Sequence, residues 1–351
     1  MASNGKNTAP GLRAASEIDV DEITGHRRMR RTRVADWSRR LTRETRLSVD
    51  DLIWPIFIVP GSNVLEPIDA MPGVNRMSVD KAVEAAKMAA DLGIPALATF
   101  PNVEMQHRDQ TGSYALEPDN LINQTTRATK KAVPNIGVIT DVALDPFTDH
   151  GHDGILRDGE IVNDETVRQI AAAAVHQADA GADIIAPSDM MDGRIGAIRR
   201  ALDAAGHQNV AIMSYATKFA SALYGPYREA IGTSGLLKGD KRTYYLDPAN
   251  ATEAVRDAGL DVEEGADMLM VKPGLAYLDI CQALKDTYGL PVFAYQVSGE
   301  YSMIKAGAAA GYVDGERVMM EKLLAFKRAG CDGVLTYFAP EAARMLAKGG
   351  W

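Results

Sequence analysis

From residue 51 to the C-terminus, short apolar runs rich in Val and Ile alternate with helical stretches of about 12 to 18 residues, and this rhythm leaves few folds open. Eight such runs can be read: 51–61 (DLIWPIFIVPG), 92–100 (LGIPALATF), 135–144 (NIGVITDVAL), 181–189 (GADIIAPSD), 209–217 (NVAIMSYAT), 265–274 (GADMLMVKPG), 288–298 (YGLPVFAYQVS) and 330–340 (GCDGVLTYFAP). Each is nearly continuous in apolar character. That suits a parallel strand covered on both faces and not an antiparallel strand with one wet face. Several runs follow a glycine, a residue that closes a helix in the left-handed region and marks a helix-to-strand junction. Ser78, and Asn163 with Asp164, stand where a helix begins and offer side-chain oxygens to its free N–H groups. Eight βα units predict a closed (β/α)8 TIM barrel, an α/β fold, rather than an open doubly wound sheet. No G-x-G-x-x-G or P-loop string is present to argue for a nucleotide fold.

The chain can fill such a barrel. Of its 351 residues 46 % are apolar and 24 % charged, a globular balance. The formal net charge of −9 speaks against nucleic acid as partner, because polyanion binding needs a basic face. Arg27, Arg28, Arg30, Arg31, Arg33, Arg39, Arg40, Arg43 and Arg46 form a local exception, read as a solvated or subunit-contacting surface before an anion site. Residues 1–25 have no apolar period and read as a flexible tail, and 26–46 as a short helix or extended arm. Cys281 and Cys331, the two cysteines, are too few for a disulfide framework and read as buried thiols in apolar helical contexts. No apolar run is long enough to span a membrane and the N-terminus has no apolar signal core, so the expected location is the cytoplasm.

Active sites of such barrels form where the strands end. The strand ends bring up Asp141 and Asp145, Ser188 and Asp189, Lys218, Lys272, Ser298 and Tyr337. The lysines are the sharpest feature, since an ammonium directly after a buried strand such as MLMV is costly to desolvate. Two of them on adjacent strand ends would point into one mouth, where burial and mutual repulsion favour the neutral amine that attacks a ketone. Carbonyl condensation through an imine is the expected chemistry. The long connection 219–248 reads as a lid. Its Arg228 and Lys241 are either carboxylate contacts or solvent-exposed charges. Asp145, Asp149, His150, His152 and Asp153 crowd one loop and read either as an oxygen-rich site for a hard ion such as Mg²⁺ or as a hydrogen-bonded polar loop.

The strings TFPNVEMQHRDQTGSYA, ITDVALDPFTDHGHDG, APSDMMDGRIGAIR, SYATKFASALYGPYREA, EEGADMLMVKPGLAYLDI, FAYQVSGEYSMI and LTYFAPEAA resemble the porphobilinogen synthase (5-aminolevulinate dehydratase) family, in family order from about residue 30 onward. The resemblance implies a lyase that joins two 5-aminolevulinate molecules asymmetrically into porphobilinogen with loss of two waters, an early step of tetrapyrrole (heme) biosynthesis, without organic cofactor. It implies Lys272 as the Schiff-base lysine for the substrate giving the propionate side, and Lys218 as its counterpart for the acetate side. Ser298 and Tyr337 match contacts of the first carboxylate, and Arg228 and Lys241 those of the second. Asp141, Ser188 and Asp189 match polar groups around the reacting amine, either aspartate being placed to assist proton transfer.

Three departures stand out. The cysteines of zinc-dependent members are replaced by Ala143, Asp145 and Asp153, so no catalytic zinc is expected. The carboxylate implied for activating Mg²⁺ is Asp257, shorter than the family's glutamate. Tyr245 stands where a glutamine is expected near the second carboxylate. The family also implies an arm (1–40) ahead of the catalytic barrel (41–351), arm-embracing dimers and an octamer, with smaller assemblies reached by moving the arm. A single-lysine aldolase and a non-catalytic arginine-arm binding protein are the competing readings. The paired lysines favour neither, and the first predicts only one essential lysine.

Overall fold

A computed structural model describes Asp19, Val20, Gly25 and residues 27–349. The tail expected over residues 1–25 lies almost wholly outside them. The chain parts into two compact units, Met1–Arg46 and Leu47–Trp351. In the first unit, a single 3₁₀ turn covers Met29–Thr32 and a short helix Asp36–Leu41. Its described side chains are almost all exposed, including the apolar Met29, Val34, Trp37 and Leu41. Ser38 alone among them is buried.

The second unit is built on eight parallel strands: β1 (Leu52–Ile58), β2 (Ala96–Pro101), β3 (Gly137–Val142), β4 (Ile184–Pro187), β5 (Ala211–Lys218), β6 (Met268–Lys272), β7 (Val292–Gln296) and β8 (Gly333–Thr336). Each pairs with the next, and β8 closes on β1 through Leu52↔Val334 and Ile53↔Leu335. The sheet therefore has no free edge on the barrel. Six of the eight strands fall within the runs read from the sequence, and β2 and β5 each continue one residue further, to Pro101 and Lys218. The glycine junctions hold as well; Gly181 (φ 101°) and Gly265 (φ 106°) adopt backbone that L side chains rarely enter.

Helices cover the outside, among them α1 (Val79–Asp91), α2 (Leu121–Ala132), α3 (Asn163–Asp179), α4 (Arg194–Ala204), α5 (Ala251–Glu263), α6 (Leu278–Tyr288), α7 (Ser298–Ala309), α8 (Gly315–Arg328) and α9 (Ala339–Ala347). The buried face of α1 is Ala82, Ala85, Ala86 and Ala89, a three-four spacing of small side chains that lets the helix approach its neighbours closely. The two expected caps work differently from the sequence reading. Ser78 precedes α1 without capping it, because its Oγ accepts the Val64 N–H (2.9 Å) and donates to Asp80 (2.6 Å). Asn163 begins α3, and its amide exchanges hydrogen bonds with the Asp192 backbone (2.8 and 3.1 Å). In both cases a tertiary partner outcompetes the local N–H groups. Cys281 lies on α6, whereas Cys331 lies in the junction between α8 and β8; both are buried and free.

One irregularity decides the site. Along β5 and β6 the register runs Met268↔Met213 and Leu269↔Ser214, then shifts to Val271↔Thr217 and Lys272↔Lys218. The extra residue in β5 is a β-bulge, a device that re-aims side chains. At constant register Lys272 would lie beside Thr217. The bulge instead sets Lys272 and Lys218 side by side at the carboxyl ends of neighbouring strands.

Candidate active site

Both lysines are buried, Lys218 at 4 % and Lys272 at 3 % exposure. Their surroundings differ in kind. The Lys272 Nζ lies among four tyrosine rings, 4.8 Å from the centroids of Tyr227 and Tyr295, 5.1 Å from Tyr215 and 5.6 Å from Tyr224. Among the described residues no hydrogen bond or ion pair reaches it. Burial and the adjacent Lys218 charge bring its pKa down to about 7, against the pull of Asp141, Asp145 and Asp153. Near neutrality a large fraction of this amine is unprotonated and nucleophilic.

Lys218 is held instead. Its Nζ donates to Asp153 Oδ1 (2.9 Å) and to the Ser188 carbonyl, and lies 4.4 Å from the Tyr245 ring centroid. Asp153, fully buried, also takes the Lys241 Nζ on Oδ2 (2.6 Å) and hydroxyls from Tyr244 and Tyr245. Burial alone would raise its pKa, but Lys218 and Lys241 override that and hold the carboxyl well below its ordinary range. Asp145 lies 3.7 Å from Lys241, and burial and the Asp153 charge push its pKa up.

The remaining predicted residues fall into two groups. Asp141, at the end of β3, has its pKa raised to about 6, because burial outweighs the attraction of Lys272 and Lys218. Its Oδ1 has no hydrogen-bond partner. Asp189, whose Oδ2 also has no hydrogen-bond partner, stands next to Ser188, whose carbonyl Lys218 reaches, and faces Arg194 of α4. It accepts the Met191 N–H (2.8 Å) and lies 3.8 Å from the Arg194 guanidinium, which in turn grips Asp261 at 2.7 Å. Burial raises Asp189 to about 7. Ser188 contributes its backbone oxygen to Lys218. The Tyr337 hydroxyl pairs with that of Tyr295 (2.7 Å), beside Lys272. Arg228 lines the small cavity bounded by Lys218, Lys272, Lys241 and Asp145, and no ion-pair partner for it exists among the described residues.

Segment 219–248 lines this mouth through Tyr224, Tyr227, Arg228, Lys241 and Tyr245 and is tied down near both ends. Phe219 N–H donates to the Lys272 carbonyl (2.9 Å) and Leu246 N–H to the Lys218 carbonyl (3.0 Å). Between them the short helix Gly225–Ala230 carries Arg228. Ser298 Oγ accepts the Tyr227 N–H of this helix (2.9 Å). At its other end the open carbonyls are capped by Arg76 (to Ala230 O, 2.8 Å), Asn102 (to Ala230 O, 3.1 Å) and Arg108 (to Ile231 O, 2.8 Å). These three residues escaped the sequence reading, as did the tyrosine cage and the Arg194–Asp261 pair. Each acts on partners far away in sequence, and no local pattern marks it.

The loop 141–154 behaves as a polar network. His150 bonds the Gln110 carbonyl (3.1 Å), and His152 is bracketed by the Tyr244 hydroxyl (3.0 Å) and the Lys238 carbonyl (2.7 Å). Among the described residues no group of three or more His, Cys, Asp or Glu is arranged to hold a metal ion. Asp257 lies on α5 in the wall of a separate cavity of about 730 Å³, which Asp192 and Glu253 also line. Burial raises its pKa to about 6, with Arg194 opposing and Asp261, Asp192 and Glu253 adding to the rise. Among the described residues no helix is long and apolar enough to cross a membrane.

Residues 26–345 match the protein family described as Delta-aminolevulinic acid dehydratase. The chain is 59 % identical over 319 residues to the Delta-aminolevulinic acid dehydratase of Bradyrhizobium diazoefficiens, covering 91 % of this chain and 90 % of that one. It is 53 % identical to the Rhodobacter capsulatus protein of the same name, covering 91 % and 96 %. A crystal structure of the Toxoplasma gondii enzyme in complex with the reaction product porphobilinogen superposes with a TM-score of 0.90 at 42 % identity, covering 92 % of each chain. A closed eight-stranded barrel, two lysines abreast at its mouth and similarity over nine-tenths of the sequence lead to one conclusion: the chain belongs to the delta-aminolevulinic acid dehydratase family.

Proposed function

We propose that Lys272 and Lys218 carry the reaction of this 5-aminolevulinate dehydratase as Schiff-base nucleophiles, one for each substrate molecule. The lyase joins two 5-aminolevulinates into porphobilinogen and releases two waters. The observation that carries the reading is the register pairing of the two buried lysines with a neutral-leaning Lys272. A neutral amine adds to the substrate ketone, and loss of water gives the imine. Asp141, with a pKa near neutrality and a free Oδ1, is suited to protonate the departing hydroxyl and to take a proton back later. Asp189 also has an oxygen without a hydrogen-bond partner and a pKa near neutrality, but its charge is coupled to Arg194 whereas that of Asp141 is coupled to both lysines, which favours Asp141 for that role. Tyr337 and Ser298 support the first substrate's carboxylate. Arg228, a cation at the mouth with no ion-pair partner among the described residues, supports the second together with Lys241.

The carboxylates Asp145 and Asp153 stand at former cysteine positions but are matched by lysine charges, so they do not present a donor set for catalytic zinc. Asp257 fits Mg²⁺ better: it is a half-buried carboxylate with Asp192 and Glu253 lining the same cavity, and Mg²⁺ commonly keeps several waters and takes one or two carboxylates. Bound there, outside the lysine pocket, the ion would act as an activator. The exposed Met29, Val34, Trp37 and Leu41 of the N-terminal unit support a role in subunit contacts, within a homo-octamer of arm-embracing dimers.

The decisive experiment replaces each lysine separately. Lys218→Ala and Lys272→Ala should each lower porphobilinogen formation by at least about a thousandfold, the scale set by losing a covalent nucleophile. A near-parental rate in either variant overturns the two-lysine reading and restores the single-lysine alternative.

A further inference from the structure

Tyr245 occupies the lid edge beside Lys218, buried to 7 % exposure. Its hydroxyl donates to both oxygens of Asp153, at 2.9 Å from Oδ1 and 3.0 Å from Oδ2. The face of its ring lies 4.4 Å from the Lys218 Nζ and 5.6 Å from the Lys241 Nζ. Tyr244 meets the ring edge-on (centroids 5.0 Å, 79°) and donates its own hydroxyl to Asp153 Oδ2 at 3.0 Å. The next residue, Leu246, is bonded to the Lys218 carbonyl, so the phenol is fixed to the strand end that carries the lysine.

Asp153 is thus shared by two ammoniums and two phenols. This sharing creates a conflict. Lys241 has three N–H donors, but with its Nζ 2.6 Å from Asp153 Oδ2 its charge is already matched by a buried carboxylate, so a substrate carboxylate drawing on it must compete with Asp153. If Lys241 leaves, a fully buried carboxylate loses one of its charges, which is expensive unless other donors remain. The oxygen that Lys241 would vacate already accepts the hydroxyls of Tyr244 and Tyr245.

We propose that Tyr245 is a positioning residue that fixes Asp153 against Lys218 and replaces Lys241 on that carboxylate, freeing Lys241 to take the second substrate's carboxylate. The inference rests on the assignment of Lys218 and Lys241 to one substrate made above. Tyr245→Phe keeps the ring over Lys218 and removes only the hydroxyl. Asp153 then depends more heavily on Lys241, and the substrate must compete harder for it.

The test uses the full-length enzyme and 5-aminolevulinate. Steady-state kinetics are combined with borohydride reduction of the imines and peptide mapping that scores Lys218 and Lys272 separately. Tyr245→Phe should raise KM about tenfold, the weight of a hydrogen bond to a charged group, and change kcat much less. At substrate concentrations below KM the label at Lys218 should fall while that at Lys272 stays at the parental level. Parental kinetics and labelling in the variant overturn the inference. Equal loss at both lysines overturns it too, because a general structural defect does not choose between them. Absence of label at Lys218 in the parent enzyme removes the underlying assignment as well, an outcome distinct from label present and unchanged in the variant.

Discussion

Replacing Lys272 with methionine should make the protein more stable while abolishing its activity. Methionine keeps an unbranched side chain of similar length among Tyr215, Tyr224, Tyr227 and Tyr295, so packing is largely conserved. What disappears is a cation held without an ion pair. The folded-state pKa is about 7 against an ordinary 10.5, so between these values the unfolded chain binds more protons and parental stability rises with pH. The destabilisation is fully present below pH 7 and fades as pH approaches 10.5. At about 1.4 kcal/mol per pKa unit it amounts to about 5 kcal/mol well below pH 7, about 4 kcal/mol at pH 7 and about 2 kcal/mol at pH 9. The variant lacks this term, so its advantage should shrink across that interval. Denaturant midpoints for both proteins at a fixed protein concentration, taken at pH 6, 7, 8 and 9, measure the difference. A variant less stable than the parent, or an advantage independent of pH, refutes the argument that the fold sustains an unpaired amine for chemistry.

Two further outcomes follow from the same geometry. Arg108→Met removes the buried donor to Ile231 O and loosens the cap of the helix that carries Arg228; kcat/KM for 5-aminolevulinate should fall about tenfold, the weight of a charged hydrogen bond, while the label at Lys272 with saturating substrate is retained. Porphobilinogen formation assayed after exhaustive chelation, and again with Mg²⁺ restored, should show activation in the parent and none in Asp257→Ala; equal activation of both would place the ion elsewhere.

The sequence displayed much of this architecture because the physics behind it is local. Eight apolar runs, the glycines that end the intervening helices and the spacing between them were enough for a closed parallel barrel, and the strand ends named both lysines. What escaped was every feature that depends on a distant partner. Asp153 looked like one acid in a mixed loop until Lys218, Lys241, Tyr244 and Tyr245 closed around it from 65 or more residues away. Ser78 and Asn163 looked like helix caps because competing acceptors and donors were invisible.

The sequence by itself determined that two lysines terminate adjacent strands, since composition and period define where buried strands stop. Only the tertiary structure decided that they meet. A constant register would have set Lys272 beside Thr217, and the bulge in β5 moves it by one position to Lys218. Side chains alternate between faces with a period of two, so a one-residue slip sends a side chain to the opposite face. Which register wins is set by the packing of the whole barrel, and that packing, rather than the lysine strings themselves, makes the two amines neighbours.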